Sequence, residues 1–297
     1  MSVTDPIADL IHAFHARTPP RVWSLIVTIF GDLILPRGGV VGLTTLADLC
    51  ALMEIGGSAL RPAMSRLTAD GLLVREKYGR NTFYRLSADA DAEFRQASET
   101  IYASGPPNWD GTWTIALLTD ADNGGRAATA KALTQFGFGQ INAETRLKPG
   151  AADISDDLAG AHVFSAQALR AHEDHDRLIR TGWQLDDLAA SYRTFLACFS
   201  PLAENVNAIA RHPNQAIVAR TLLIHDYRRI VLTDPMLPEA LLPKDWPGTL
   251  ARAKTARLYA ALAKPSETWL DKNATRPDGP MPPVAKHFQR RFKQTVV

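Results

Sequence analysis

Two clusters in this sequence carry side chains whose types and spacing could do chemistry. The string AHEDHDR (171–177) brings His172, Asp174, His175 and Asp176 together. On a helix, His172 would share a face with His175 or Asp176, a set able to ligate a divalent cation. The surrounding run is so polar that a solvated helix is the simpler reading. The string HDYRR (225–229) follows the apolar run TLLI and presents His225, Tyr227, Arg228 and Arg229. Arginine forks suit a carboxylate or a phosphate. They equally suit an inter-helix salt-bridge network. Trp246, with Trp109, Trp113, Trp183 and Trp269, could wall a pocket for an aryl group, although such residues more often pack a core. The motifs GxxxxGK[ST], GxSxG, HExxH and CxxC are all absent. No enzyme activity and no cofactor are therefore expected.

A third cluster needs its elements first. Val22, Leu25, Ile26, Ile29, Phe30 and Leu33 share one face of a helix over 21–33, with Pro19-Pro20 at its start. PRGG (36–39) breaks it, and VVGL (40–43) reads as a short strand. Thr44 or Thr45 would cap a second helix with Leu46, Leu49, Cys50 and Met53 inward. Ser58 would cap a third, with Leu60, Met64 and Leu67 inward and Gly71 as its stop. LLVREKYGRNTFYRLS (72–87) then reads as a hairpin turning at Gly79-Arg80-Asn81. This order is that of a winged helix-turn-helix. The third helix leaves Ser58, Pro62, Ser65, Arg66 and Ala69 outward, with Arg61 on the flank. Small polar groups and arginines can enter a major groove. Residues 61–85 add a local charge of +4, suited to phosphates.

Further on, 111–120 reads as a buried strand, 126–138 as a helix with Leu133 and Phe136 inward, and 139–148 and 160–165 as strands. That β-α-β-β order suggests a ferredoxin-like module. From about Asp186 the chain reads helical, with a stripe of Leu188, Tyr192, Phe195, Leu196 and Phe199 and further helices over 216–230 and 249–263. The tail from Lys264 reads as partly disordered, ending in basic KHFQRRFKQ (286–294). At 297 residues the chain has room for two or three domains. The expected division is 1–104, 105–185 and 186–297. The formal net charge of +2 hides blocks of +2 over 1–88, −8 over 89–210 and +8 over 211–297. The flanks suit anionic partners and the middle does not. Two cysteines, Cys50 and Cys198, read as reduced core residues of a cytoplasmic protein, and no window suits a membrane span.

Three stretches in order resemble the PaaX family of bacterial transcriptional regulators. They are PPRVWSLIVTIFGD (19–32) with LRPAMSRLTADGLLVREKYGRNTFYRLS (60–87), WDGTWTIALL (109–118) with LTQFGFGQI (133–141), and ARTLLIHDYRRIVLTDPMLPEALLPKDWPGTLAR (219–252). The resemblance implies an α+β multidomain protein: an N-terminal winged helix-turn-helix, a central ferredoxin-like, Cas2-like domain and a C-terminal helical domain. It implies a homodimeric repressor of an aromatic-acid, phenylacetate-type catabolic operon, bound to a palindromic double-stranded DNA operator. An acyl-CoA thioester such as phenylacetyl-CoA would release it, or a different effector if another pathway is regulated. DNA contacts are expected from Ser58, Arg61, Ser65 and Arg66 on the helix and from Lys77, Arg80 and Asn81 at the wing. Effector contacts are expected from His225, Tyr227, Arg228, Arg229 and Trp246. A Cas2-like module could instead be a metal-dependent nuclease, with Asp120 and Asp122 as its acidic pair, but TDADNGG reads as an ordinary turn.

Overall fold

The computed structural model describes residues 5–17, 21–119, 123–151, 160–167 and 175–293. Its contacts divide the chain into two units, a mixture of helices and small antiparallel sheets. One unit gathers Met1–Ser104, Arg193–Leu232 and Leu250–Val297, and the other Gly105–Tyr192 and Thr233–Thr249. Residues 186–297, expected to form one domain, are divided between the two units. The contacts instead return two C-terminal segments to the first 104 residues. Residues 213–231 pack against 6–15, 22–29 and 88–101, and buried ion pairs tie Arg220 and Arg291 to Asp32.

In the first unit, helix α1 (Pro6–His15) is capped by Asp5, whose carboxylate accepts from the Ile7 N–H at 2.9 Å. Helix α2 (Val22–Ile29) buries Leu25, Ile26 and Ile29 as the periodicity requires. It runs on into a wide π turn at Phe30–Ile34 and a tight turn at Leu35–Arg37. Gly38 and Gly39 stop it, with φ of 90° and 73°, which favour glycine. Strand β1 (Val40–Gly42) leads to α3 (Leu43–Ala51) and α4 (Gly57–Ala69).

The expected caps shift. Gly42 and Gly56, both extended, precede these helices without side-chain capping bonds. Thr45 is buried instead, where it donates to the Asn273 carbonyl. Ser58 lies inside α4, on its exposed side. Strands β2 (Leu73–Tyr78) and β3 (Asn81–Leu86) form the expected hairpin, in a sheet of order β1-β3-β2. Tyr78 pairs with Asn81, so Gly79 and Arg80 form a two-residue loop. Gly79 supplies the positive φ of 60° that such a loop needs at its first central position. Ser87 then caps α5 (Ala88–Ile101).

The second unit contains β4 (Thr112–Leu118), α6 (Asn123–Gln135), β5 (Gly139–Gln140), β6 (Thr145–Pro149) and β7 (Ala161–Gln167). The four strands form one antiparallel sheet of order β5-β6-β4-β7. Ala116, Leu118, Leu133 and Phe138 make its core. Leu133 is inward as expected. Phe136 is not: α6 ends at Gln135, and Phe136 is 42% exposed while Phe138 takes the inward place.

Next come α7 (His175–Gly182) and α8 (Leu185–Cys198). A Cβ on Gly139 would meet the Trp183 ring at 2.6 Å and the Gly182 carbonyl at 2.8 Å. Gly139→Ala is therefore expected to displace buried Trp183 and cost about 1–3 kcal/mol. The lowered denaturant midpoint of the variant measures this.

Helices α9 (Ser200–Ile209), α10 (Pro213–Val231) and α11 (Pro247–Asn273) follow. The tail, expected to be partly disordered, is ordered over its described residues, 264–293. Helix α11 passes through Pro265 to Asn273 and is followed by a short hairpin, β8 (Thr275–Arg276) and β9 (Gly279–Pro280). The Ala285 N–H then donates to the Pro36 carbonyl, and the Phe292 N–H to that of Tyr102. Among the described residues, no helix is long and apolar enough to cross a membrane.

Candidate functional site

Helix α4 packs against α2, α3 and β2. Leu60, Met64 and Leu67 are 3%, 2% and 2% exposed, so the face they define is fully committed to the core. Ser58, Arg61, Ser65 and Arg66 are exposed on the other face, as the helical periodicity requires. Pro62 is exposed among them and removes the N–H that would bond the Ser58 carbonyl. At the hairpin, Lys77, Arg80 and Asn81 are exposed as well.

The cations here are not equivalent. Arg85 is paired with Glu76 at 2.5 Å. Arg66 lies over the Trp23 ring of α2, 4.5 Å from its centroid, and reaches Asp70 at 3.4 Å. Arg61, Arg75, Lys77 and Arg80 have no ion pair to any described residue. Phosphate could engage them without breaking an existing contact.

The HDYRR segment lies on α10 and mostly faces inward. His225 is 2% exposed, with Nδ1 3.0 Å from the Thr28 hydroxyl of α2. Burial, then the cations Arg228, Arg17 and Arg229, push its pKa well below the ordinary imidazole value, so it is neutral. Asp226 accepts from Arg17 at 2.6 Å. Tyr227 is buried beside Phe195 and Phe292. Arg228 donates to the Thr28 hydroxyl at 2.7 Å and to the Ser24 carbonyl and hydroxyl at 2.8 Å. Arg229 is exposed. Trp246 belongs to the other unit, edge-on to Tyr192. Arg228 lines a cavity between α2, α5 and α10. Asp120, Asp122 and His172 lie outside the described residues, as does the His175 side chain.

Sequence reasoning missed the buried charge cluster around Asp32. Asp32, on the π turn, is 1% exposed. Arg220 donates to it at 2.8 Å and Arg291 at 2.7 Å, while the Tyr102 and Tyr259 hydroxyls donate at 2.7 and 3.1 Å. Glu267 joins Arg220, at 2.7 Å, to Arg37, at 2.8 Å. Burial would raise the Asp32 pKa, but Arg220 and Arg291 outweigh it and hold the carboxylate below its ordinary range. The one signal was an aspartate within an otherwise apolar run, VTIFGDLIL, which demands a partner if buried.

A mixed helix-and-sheet protein with an exposed basic helix and hairpin is the class that these features define. The chain belongs to the PaaX family. Residues 21–90 match the family of PaaX-like proteins, and residues 183–272 match the PaaX-like protein C-terminal domain. The chain is 34% identical to the transcriptional repressor PaaX of Escherichia coli (strain K12), over 94% of this chain and 92% of that protein. Among solved structures, an uncharacterized protein from Mycobacterium tuberculosis aligns with a TM-score of 0.57 and 26% identity. That alignment covers 82% of this chain and 97% of the other.

Proposed function

We propose that the protein is a cytoplasmic, DNA-binding transcriptional repressor and not an enzyme. Its α3, α4 and β2–β3 hairpin act as a winged helix-turn-helix, with α4 in the major groove. Two copies of the chain present their α4 helices about 34 Å apart, one DNA turn, to a palindromic operator. The single observation that carries this reading is the face of α4. It combines a fully buried apolar side with an exposed side of Ser58, Arg61, Ser65 and Arg66, beside Lys77 and Arg80 at the hairpin, which have no ion pair among the described residues. Family membership and likeness to a named repressor support it. The strand order β5-β6-β4-β7, with α6 between the first two strands in sequence, supports a ferredoxin-like second unit.

Release from DNA requires an effector that binds the DNA-free geometry better. An acyl-CoA thioester such as phenylacetyl-CoA is the effector that the family suggests, with an aromatic-acid catabolic operon as the target. A coupling of about 1–3 kcal/mol would change operator affinity roughly 5–150-fold. The test is a gel shift on DNA from upstream of the protein's own gene, titrated with acyl-CoA esters. A retarded band released by one ester is the expected result. A protein that retards no fragment above its non-specific level would overturn the reading.

A further inference from the structure

Helix α2 sends Leu25, Ile26 and Ile29 into the core, and Trp23 falls at the border of that face. Its side chain is half-buried. The Arg66 guanidinium lies over its ring, with the Arg66 Cζ 4.5 Å from the ring centroid. Arg66 comes from α4, which packs against α2. Among the described residues, no other cation of α4 or of the β2–β3 hairpin lies over an aromatic ring.

Helical geometry puts Arg66 and Arg61 on opposite borders of the exposed face of α4, with Ser58, Pro62 and Ser65 between them. An exposed arginine samples many rotamers and loses that freedom when it binds. The ring removes part of the freedom beforehand. It engages the charge and leaves the planar fork of N–H donors for another partner. Of that fork only Nε is bonded, to Asp70 at 3.4 Å, and the Arg66 side chain is 57% exposed. Nη1 and Nη2 have no hydrogen-bond partner among the described residues. In the major groove, guanine presents two adjacent acceptors, O6 and N7. Adenine sets a donor beside N7, and a guanidinium cannot accept from it.

We infer that Trp23 is a positioning residue for base recognition: its ring holds the Arg66 fork toward a guanine edge in each half-site of the operator. The inference deepens the repressor reading and rests on it. Trp23 touches no base and acts through Arg66. Its place on α2, outside the helix that enters the groove, makes the base preference of α4 depend on a second helix. Lys77 and Arg80, which no ring holds, keep their freedom and suit phosphates, which fix position without reading sequence.

Gel shifts on the duplex retained from upstream of the protein's own gene test this, with each guanine replaced in turn by 7-deazaguanine, which lacks N7. For the parent chain, replacing one particular guanine per half-site should weaken binding at least about fivefold. Arg66→Ala and Trp23→Leu should both erase that penalty. Trp23→Leu keeps the charge of Arg66, so it should leave the salt slope unchanged. Trp23→Phe should restore part of the penalty. In an Arg66→Ala chain, adding Trp23→Leu should cost no further affinity. Melting curves establish that each variant is folded. A proton spectrum of the unsubstituted chain adds a test without DNA: the Arg66 Nε–H, shielded by the ring, should resonate upfield of those of Arg61 and Arg80. The inference is overturned, and the repressor reading left standing, by any of three results. These are a Trp23→Leu chain that keeps the 7-deazaguanine penalty, an equal loss from Trp23→Leu with and without Arg66, or an unshifted Arg66 proton. A parent chain that retains no duplex overturns both.

Discussion

Asp32→Asn is expected to lower the unfolding free energy by about 3–5 kcal/mol, because it takes the carboxylate from buried Arg291 and one of two from buried Arg220, which keeps Glu267. The substitution keeps the shape of the side chain, so little of the loss comes from packing. Urea titration near neutral pH measures it. The pH dependence gives an independent check. In the folded chain the Asp32 pKa lies below its ordinary value, so its contribution to stability is complete above the unfolded carboxyl pKa of about 3.9. It is lost as pH falls from there through the folded value. The asparagine variant should therefore lose less stability than the parent on acidification below about pH 4. Replacing the cations as well, in Asp32→Leu with Arg220→Met and Arg291→Met, should recover much of the deficit, because no orphaned charge then remains. If the single variant unfolds at the parent's urea midpoint, the cluster does not hold the C-terminal segments to the N-terminal ones.

The contrast between this cluster and α4 shows where local pattern ends. Helix α4 was legible because Leu60, Met64 and Leu67 recur at helical spacing, so their burial dictates the exposure of Ser58, Arg61, Ser65 and Arg66. The hairpin was legible because Gly79 can take the positive φ its loop requires. Asp32 finds its partners 188 and 259 residues away, a distance that no periodic pattern spans. For the same reason the +8 of residues 211–297 is not all free surface charge. Arg220 and Arg291 are internal counterions, and Arg291 fastens the described part of the tail that bears it. Helix α5 was passed over because its buried face is thin, with Ala90 and Ile101 the buried members. The cap Ser87, with Asp89 and Asp91 in the first turn, was the available signal. The effector residues were grouped because HDYRR is dense in sequence. A helix sends adjacent side chains in different directions, so His225 and Arg228 face α2 while Arg229 faces solvent.

The DNA face gives the other large effect. Arg80 is exposed at a loop tip with no ion pair to a described residue, so its proposed role is to meet phosphate. Arg80→Ala should weaken binding to all duplexes alike and reduce the slope of log K against log salt by about 0.9. Arg66 differs because Trp23 already orients its guanidinium. Arg66→Ala should cost about 1–3 kcal/mol of operator binding, roughly 5–150-fold, and relax the preference at the base it reads. Arg66→Lys keeps the charge but not the planar fork, so it should restore the salt slope and not the base preference. The Asp70 contact, exposed and 3.4 Å long, is too weak to compete with a guanine edge in the groove. Binding isotherms on operator and scrambled duplexes, at several salt concentrations, separate these outcomes. If Arg66→Ala and Arg80→Ala both bind the operator as the parent does at about 0.15 M salt, neither α4 nor the hairpin touches DNA, and the proposed docking is wrong.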